Sequence, residues 1–471
     1  MAVMEPTSID SGLAAALAER LDGEVIAPTD PAYDDARSIW NGMIDRHPAL
    51  IARCRGTADV VAAVVFARER ELPLTVRGGG HNVAGGAVAD GALVVDLSQM
   101  RAVHVDADAR RAWVQGGATW ADVDTETQRF GLAAPGGVVS QTGVAGLTLN
   151  GGVSWHRRKH GMTIDNLVGA EVVTADGRVV RATATENADL LWALRGGGGN
   201  FGVVTAFEYR LHELGPEVAF LFVPYPVDQA AEVFRAYRDL VASAPDELTV
   251  DFGIERFAPD PELPPELHGV MYAGVFGMYA GPVEEGLKAL QPYRELGTPI
   301  LDATGPYPFT GVQTMLDPKF PDGVRRYWKA LYLDSLSDEM IDAAVERAVT
   351  MPSDGTLVFM RHLGGAMGRV PAGATAFGDR RAQFMLSIDS SWIDQADDDV
   401  NVEWTREFWS AFERWSGGRT YFNFAGQHEE GDAALRARYG ANYERLVDVK
   451  TKWDPDNVFH TGQNIRPRAA R

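Results

Sequence analysis

Residues 76–86 read VRGGGHNVAGG, a stretch with little side chain to bury and a single imidazole at His81. A strand ending in Gly78, Gly79 and Gly80 turns its N–H groups toward a common centre, a nest suited to a pyrophosphate, and Arg77 adds positive charge beside it. Neutral imidazole is a capable nucleophile. His81 therefore reads in two ways: as a group that reacts with whatever carries the phosphates, or as a turn histidine with no chemical role.

Two other stretches point to the same kind of partner. Residues 136–152, GGVVSQTGVAGLTLNGG, hold six glycines and no charge. They are either a pair of exposed turns or a backbone surface that a flat ligand approaches closely, with hydroxyls for a sugar-like chain. Gly197 to Gly202 match GxGxxG, but a dinucleotide loop follows a strand and opens a helix. Here ADLLWALR, capped by Asn187, precedes the glycines and VVTAFEYRL follows, so a nicotinamide Rossmann site is set aside. Free N–H groups after the helix still suit an anion or a flavin edge. Three such regions predict one large cofactor held mainly by backbone.

The histidines offer little for a metal. His156 and His160 are four apart, but Arg157, Arg158 and Lys159 between them oppose a dication, which predicts a solvated basic loop. His428, beside Glu429 and Glu430, lacks the second histidine of HExxH because position 432 is Asp.

These residues need a scaffold of short elements. Thr57 is expected to cap a helix carrying Val61, Val64, Val65 and Leu72, and LTVR then feeds the first glycine turn. ALVVDL at 92–97 reads as a strand. AVHVDADARRAWVQ and EVVTADGRVVRA read as hairpins, the second with Asp176-Gly177 as a type I′ turn, and Thr119 with Asp122 resembles a capping box. From 213 to 424, six strand-like runs alternate with helices near 228–244, 282–296, 337–350 and 398–415, which suits one sheet with helices on one face. A helix is expected over 432–452.

Bulk properties narrow the partners. A chain of 471 residues exceeds one compact core, so two domains are expected. Cys54 is the only cysteine, so no intramolecular disulfide forms. A net charge of −21 disfavours nucleic acid and anionic membranes. The N-terminus has no secretory pattern and no run nears the roughly 18 apolar residues of a membrane span. A cytoplasmic location is expected.

Taken in order, RGGGHN, GVVSQTGVAGLTLNGG, RKHGM, GGGGNFGVV and the C-terminal YFNF with DPDNVFHTGQNI resemble the FAD-linked oxidases related to berberine bridge enzyme, of the vanillyl-alcohol-oxidase superfamily. The resemblance covers nearly the whole chain. It implies an α+β two-domain flavoprotein: residues 1–212, completed by 425–471, hold FAD, and 213–424 form a substrate domain with an antiparallel sheet and helices.

Carried over residue by residue, the resemblance assigns His81 a covalent bond to the flavin 8α-methyl. It implies cofactor contacts at Arg77, Gly78, Gly79, Gly80, Asn82, Gly85 and Gly86 around it. Further contacts fall on Gly137, Thr142, Gly143, Gly146, Asn150, Gly151 and Gly152, then on Gly202 and Val203, and on Asn464. Many members carry a second link to a cysteine where this chain has Val139, which implies a single link. Thr142, close to valine in shape, takes the position beside the ring that governs oxygen access, which favours an oxidase releasing hydrogen peroxide. The second tyrosine of the family's YxNY motif, a proton acceptor in several members, is Phe424 here. Tyr421, Asn423 and His428 remain as catalytic candidates, each with a structural alternative: packing, backbone tethering and solvation. Tyr327, Trp328 and Trp392 either stack on a substrate ring or belong to the core.

The expected activity is hydride transfer from a carbon bearing OH or NH, in a sugar, alcohol, amine or secondary metabolite, to flavin N5, with O2 as acceptor. A dehydrogenase using another acceptor, or a flavin-bearing binding protein without turnover, are the alternatives.

Overall fold

The computed structural model describes residues 11–261, 263–426 and 432–469. The LTVR run forms the strand Leu74–Arg77, parallel to Leu93–Asp96, which is parallel in turn to Leu50–Arg53, with Glu24–Ile26 antiparallel at the edge. Leu93, Val94 and Val95 are all buried, the pattern of a strand covered on both faces. Helix Thr57–Glu69 covers one face through Val60, Ala63, Val64 and Ala67. Thr57 is not its cap: extended Gly56 precedes the helix, and the Thr57 hydroxyl instead donates to Glu171 at 2.8 Å.

Both expected hairpins join a five-stranded antiparallel sheet, in the order Val103–Asp106, Arg111–Gln115, Val203–Arg210, Leu167–Val173, Val179–Thr183. The second turn departs from type I′, which needs positive φ at two residues. Only Gly177 has it (φ +80°), while the Asp176 carboxylate is held by the Thr174 hydroxyl and Arg178. The Thr119–Asp122 capping box is present, with the Thr119 N–H donating to Asp122 at 2.8 Å.

The middle of the chain forms one seven-stranded sheet with every neighbour antiparallel, in the order Gly305–Pro308, Glu217–Pro226, Met271–Tyr279, Leu248–Arg256, Leu357–His362, Phe384–Trp392, Arg325–Leu333. Helices Ala230–Val241, Val283–Leu290, Asp338–Ala348 and Asp398–Ser416 bury one face, with Val233, Phe234, Ile341, Ala344, Phe408 and Phe412 meeting Val250, Ile254, Leu331 and Met360. The other face packs partly against the first domain, where Phe220, Phe276, Met278 and Trp328 meet Trp40, Ala133 and Trp155.

The expected 432–452 helix is two helices, Asp432–Tyr439 and Tyr443–Trp453, because Gly440 enters left-handed backbone (φ +49°) between them. Tyr443, Leu446 and Trp453 share a core with Trp192, Leu194 and Phe201 beside the five-stranded sheet. No helix among the described residues is long and apolar enough to cross a membrane.

Residues Arg157–His160 are not a solvated loop. They form one helical turn against the large sheet, with Arg157 0% exposed. Arg157 donates to the carbonyls of His362 (2.8 Å) and Ser154 (2.9 Å) and pairs with Asp251. Arg158 donates to Leu248, Ala244 and Leu363. Carbonyls at strand ends and in neighbouring loops supply the acceptors that let these guanidinium groups leave water.

Candidate active site

A cavity of about 350 Å³ lies where the glycine turns meet the face of the large sheet opposite its four helices, near Trp328, Arg361 and Asp389. Its glycine wall is set by close backbone approach. A Cβ on Gly79 would stand 2.5 Å from Gly143 Cα, and one on Gly143 would stand 2.4 Å from Gly79 N, so each requires the other to be glycine. Gly146 and Gly199 also line the cavity, but with open space where a Cβ would stand. That cradle, which side chains would fill, fits the flat ring and chain of FAD.

His81 stands at the cavity with its ring stacked on Trp40, centroids 3.9 Å apart. The Trp40 indole donates to the Phe320 carbonyl at 2.8 Å and lies 3.8 Å from the Arg326 guanidinium. Burial, helped by the Arg326 charge, pushes the imidazole down to about 3, so it is neutral in ordinary buffers. Its Nε2 is buried and has no partner among the described residues. A neutral, orphaned ring nitrogen on a residue that lines the cradle suits bonding to a cofactor methyl.

The cavity also brings together Gly78, Gly80, Asn82, Gly86, Gly137, Thr142, Asn150, Gly202, Val203, Tyr421 and Asn423. Five expected contacts stand back from it. Arg77 folds under the glycine turn and donates to the Ala36 carbonyl, so its side chain does not line the cavity. Gly85 packs on Ile44, and Gly151 and Gly152 pack on Met162 and Thr163. Asn464 is replaced at the wall by its neighbour Gln463. His428, with Glu429 and Glu430, lies outside the described residues.

Tyr421 is buried, and its hydroxyl oxygen accepts from the Gly152 N–H and the Asn423 amide, both at 2.8 Å. Burial raises its pKa against those two bonds, so it remains a phenol. Asn423 also donates to the Leu147 carbonyl at 3.1 Å. The Phe424 ring lies edge-on to Trp328 and Tyr421 at 5.5 and 5.1 Å. Of the three expected stacking aromatics, only Trp328 lines the cavity. The Tyr327 hydroxyl takes a bond from Arg406 (3.1 Å) and the Trp392 indole donates to Asp398 (2.7 Å), which fixes both elsewhere.

Charged groups missed from the sequence line the sheet side: Arg361 and Asp389 reach the cavity, with Asp251 behind them. Strand register puts them on one face, since Asp389 pairs with Leu357 and Trp328, and Arg361 lies two pairs along from Phe359. The Asp389 Oδ2 accepts from the Ser387 hydroxyl at 3.0 Å, and Oδ1 is buried with no partner among the described residues. Burial pushes this carboxyl up to about 6 in spite of Arg361. The signal was present in the sequence: lone charges at alternate positions inside long apolar strands, DFGIER, FMRH and SIDSS, where a buried charge needs a reason.

Two protein families match the chain: an FAD binding domain over residues 48–183, and berberine and berberine-like proteins over 420–466. An FAD-linked oxidoreductase of Bacillus subtilis, YvdP, is 32% identical over 95% of this chain and 99% of its own. (R)-6-hydroxynicotine oxidase of Paenarthrobacter nicotinovorans is 31% identical over 96% and 98%. Among solved structures, the 6-hydroxy-D-nicotine oxidase of Arthrobacter nicotinovorans superposes with a TM-score of 0.85 at 28% identity, covering 95% of this chain and 98% of that one. The glucooligosaccharide oxidase of Acremonium strictum, with a 6-S-cysteinyl, 8α-N1-histidyl FAD, gives 0.84 at 27%, covering 98% and 100%.

Proposed function

This chain belongs to the berberine-bridge-enzyme-like FAD-linked oxidoreductases, and from that premise we propose that it oxidises a small molecule at a carbon bearing OH or NH, with Asp389 taking the proton. FAD, when bound, supplies hydride acceptance and the reaction with oxygen. The observation that carries the proton role is the free Oδ1 of Asp389 in the same cavity as His81.

Phe424 has no proton acceptor, so the carboxylate takes the role that a tyrosine fills in related proteins. Ser387 holds the other oxygen, which leaves Oδ1 to face substrate. Above about pH 6 the group is ionised and can act as a base. Tyr421 has both lone pairs occupied, so its hydroxyl proton is what it offers, and it orients a substrate oxygen or nitrogen as a donor. Trp328, Phe320 and Phe424 exclude water around the reacting carbon.

His81 is assigned the single covalent link. Val139 lines the cavity where a second link would need a thiol, and Cys54 is buried in the core of the four-stranded sheet. Thr142 at the cavity wall leaves oxygen an approach and supports O2 as acceptor. We assign FAD binding to 1–212 with 425–471, and substrate binding to 213–424. The test is a panel of alcohols, sugars and amines scored by peroxide release. An active compound must lose its turnover in Asp389→Asn protein that still carries flavin; retained turnover refutes the assignment.

A further inference from the structure

We infer that the substrate brings an acceptor oxygen on a flat ring, a carboxylate, enolate or carbonyl, to Arg361; this rests on the oxidase reading above. Arg361 is 3% exposed and lines the cavity. Its nearest carboxylates, Asp389 at 3.7 Å and Asp251 at 3.9 Å, are beyond hydrogen-bond reach, and its buried Nε has no partner among the described residues. The neighbouring Arg157 is the contrast: equally buried, it bonds two carbonyls and Asp251.

A buried guanidinium carries five N–H donors in a fixed fork, and leaving them unmet costs more than losing a neutral bond. Asp251 does not meet them: Arg157 and the His362 N–H, at 2.8 Å, hold its Oδ1, and Oδ2 stays 3.9 Å from Arg361, outside hydrogen-bond reach. Asp389 turns one oxygen to Ser387. The guanidinium lies against the rings of Phe359 and Phe424, 5.0 and 5.4 Å from their centroids, so these rings bound the space in which a ligand can meet the fork. Trp328 and Phe320 add aromatic wall. A donor fork between aromatic walls selects a planar molecule whose oxygen accepts, and planar bidentate recognition is what arginine does best.

The inference also disfavours a class. A donor-only cation such as a benzylic ammonium gives the Arg361 fork no acceptor.

The test uses the flavin-bearing protein and three ring probes of similar size, each followed by the change it causes in the bound flavin's absorption. Benzoate and benzamide are expected to bind at least about 10-fold tighter than benzylamine, a difference of about 1.4 kcal/mol. The ratio of benzoate to benzamide then separates an anionic from a neutral oxygen. Arg361→Met is expected to abolish the preference, and Arg361→Lys to keep part of it for benzoate. Benzylamine binding as tightly as benzoate and benzamide overturns the inference in the unaltered protein, with no variant needed. So does an Arg361→Met protein that keeps the preference. Purified protein without a flavin spectrum would instead defeat the oxidase reading, so the two failures are distinguishable.

Discussion

Trp40 lies flat on His81, at 3.9 Å and 18° between ring planes, and the same indole is tied to Phe320 and Arg326, about 280 residues away in the chain. The residue assigned to hold the flavin is thus clamped by the segment that carries the large sheet. Acid precipitation should leave the yellow colour in the protein pellet. His81→Ala should lose it to the supernatant, and Cys54→Ala should not. Trp40→Ala should lower the covalently bound fraction in freshly made protein, read by flavin fluorescence on a denaturing gel.

In the role proposed for it Asp389 acts only as the carboxylate, and burial holds its pKa up at about 6. kcat/KM should therefore rise as pH increases through about 6 and level off above it. Asp389→Asn should lower kcat/KM by about 10²- to 10⁴-fold and remove that limb of the profile. Tyr421→Phe should cost less and keep the limb, since the role proposed for the phenol is to position substrate and its oxygen accepts from the Gly152 N–H.

The cradle glycines should separate into two groups. Gly79→Ala forces a Cβ onto Gly143 and should cost about 1–3 kcal/mol of stability, as an overpacked core does, seen as a lower melting temperature. Gly199→Ala meets nothing within 4 Å of its Cβ, so the fold should keep its stability while FAD content falls. Thermal unfolding and flavin-to-protein ratio read the two effects.

Thr142 is half-buried at the cavity wall. Thr142→Leu should slow reoxidation by oxygen in stopped-flow measurements and leave anaerobic reduction by substrate little changed. Equal slowing of both half-reactions would point to a distorted site.

Three imidazoles pack together near Lys159: His160 stacks on His212 at 3.9 Å and meets His156 edge-on at 5.6 Å. Burial lowers all three, to about 3 for His160 and about 4 for His212, with Arg210, Arg110 and Lys159 adding repulsion. The unfolded chain titrates near 6.5, so it gains protons first as pH falls, and stability is lost from about 6.5 down toward 4. The melting temperature should fall across that window, and His212→Gln should flatten the slope.

Local chemistry was legible in the sequence. Close backbone approach demands glycine, so the cradle announced itself at Gly79 and Gly143; strand-like apolar runs marked six of the seven strands of the large sheet; Phe424 declared the missing tyrosine hydroxyl. What depends on distant partners was not legible. Arg77 looked like a phosphate ligand until the Ala36 carbonyl took its guanidinium, and Arg157 looked solvated until the carbonyls of Ser154 and His362 accepted it. Arg361 and Asp389 sit on different strands and share a cavity only because antiparallel register puts them on one face. Periodicity tells which residues share a face of their own strand. Which face meets the cofactor, and which charges stay unpaired there, is decided by long-range packing, because only the folded chain sets how much water and how many partners each group keeps.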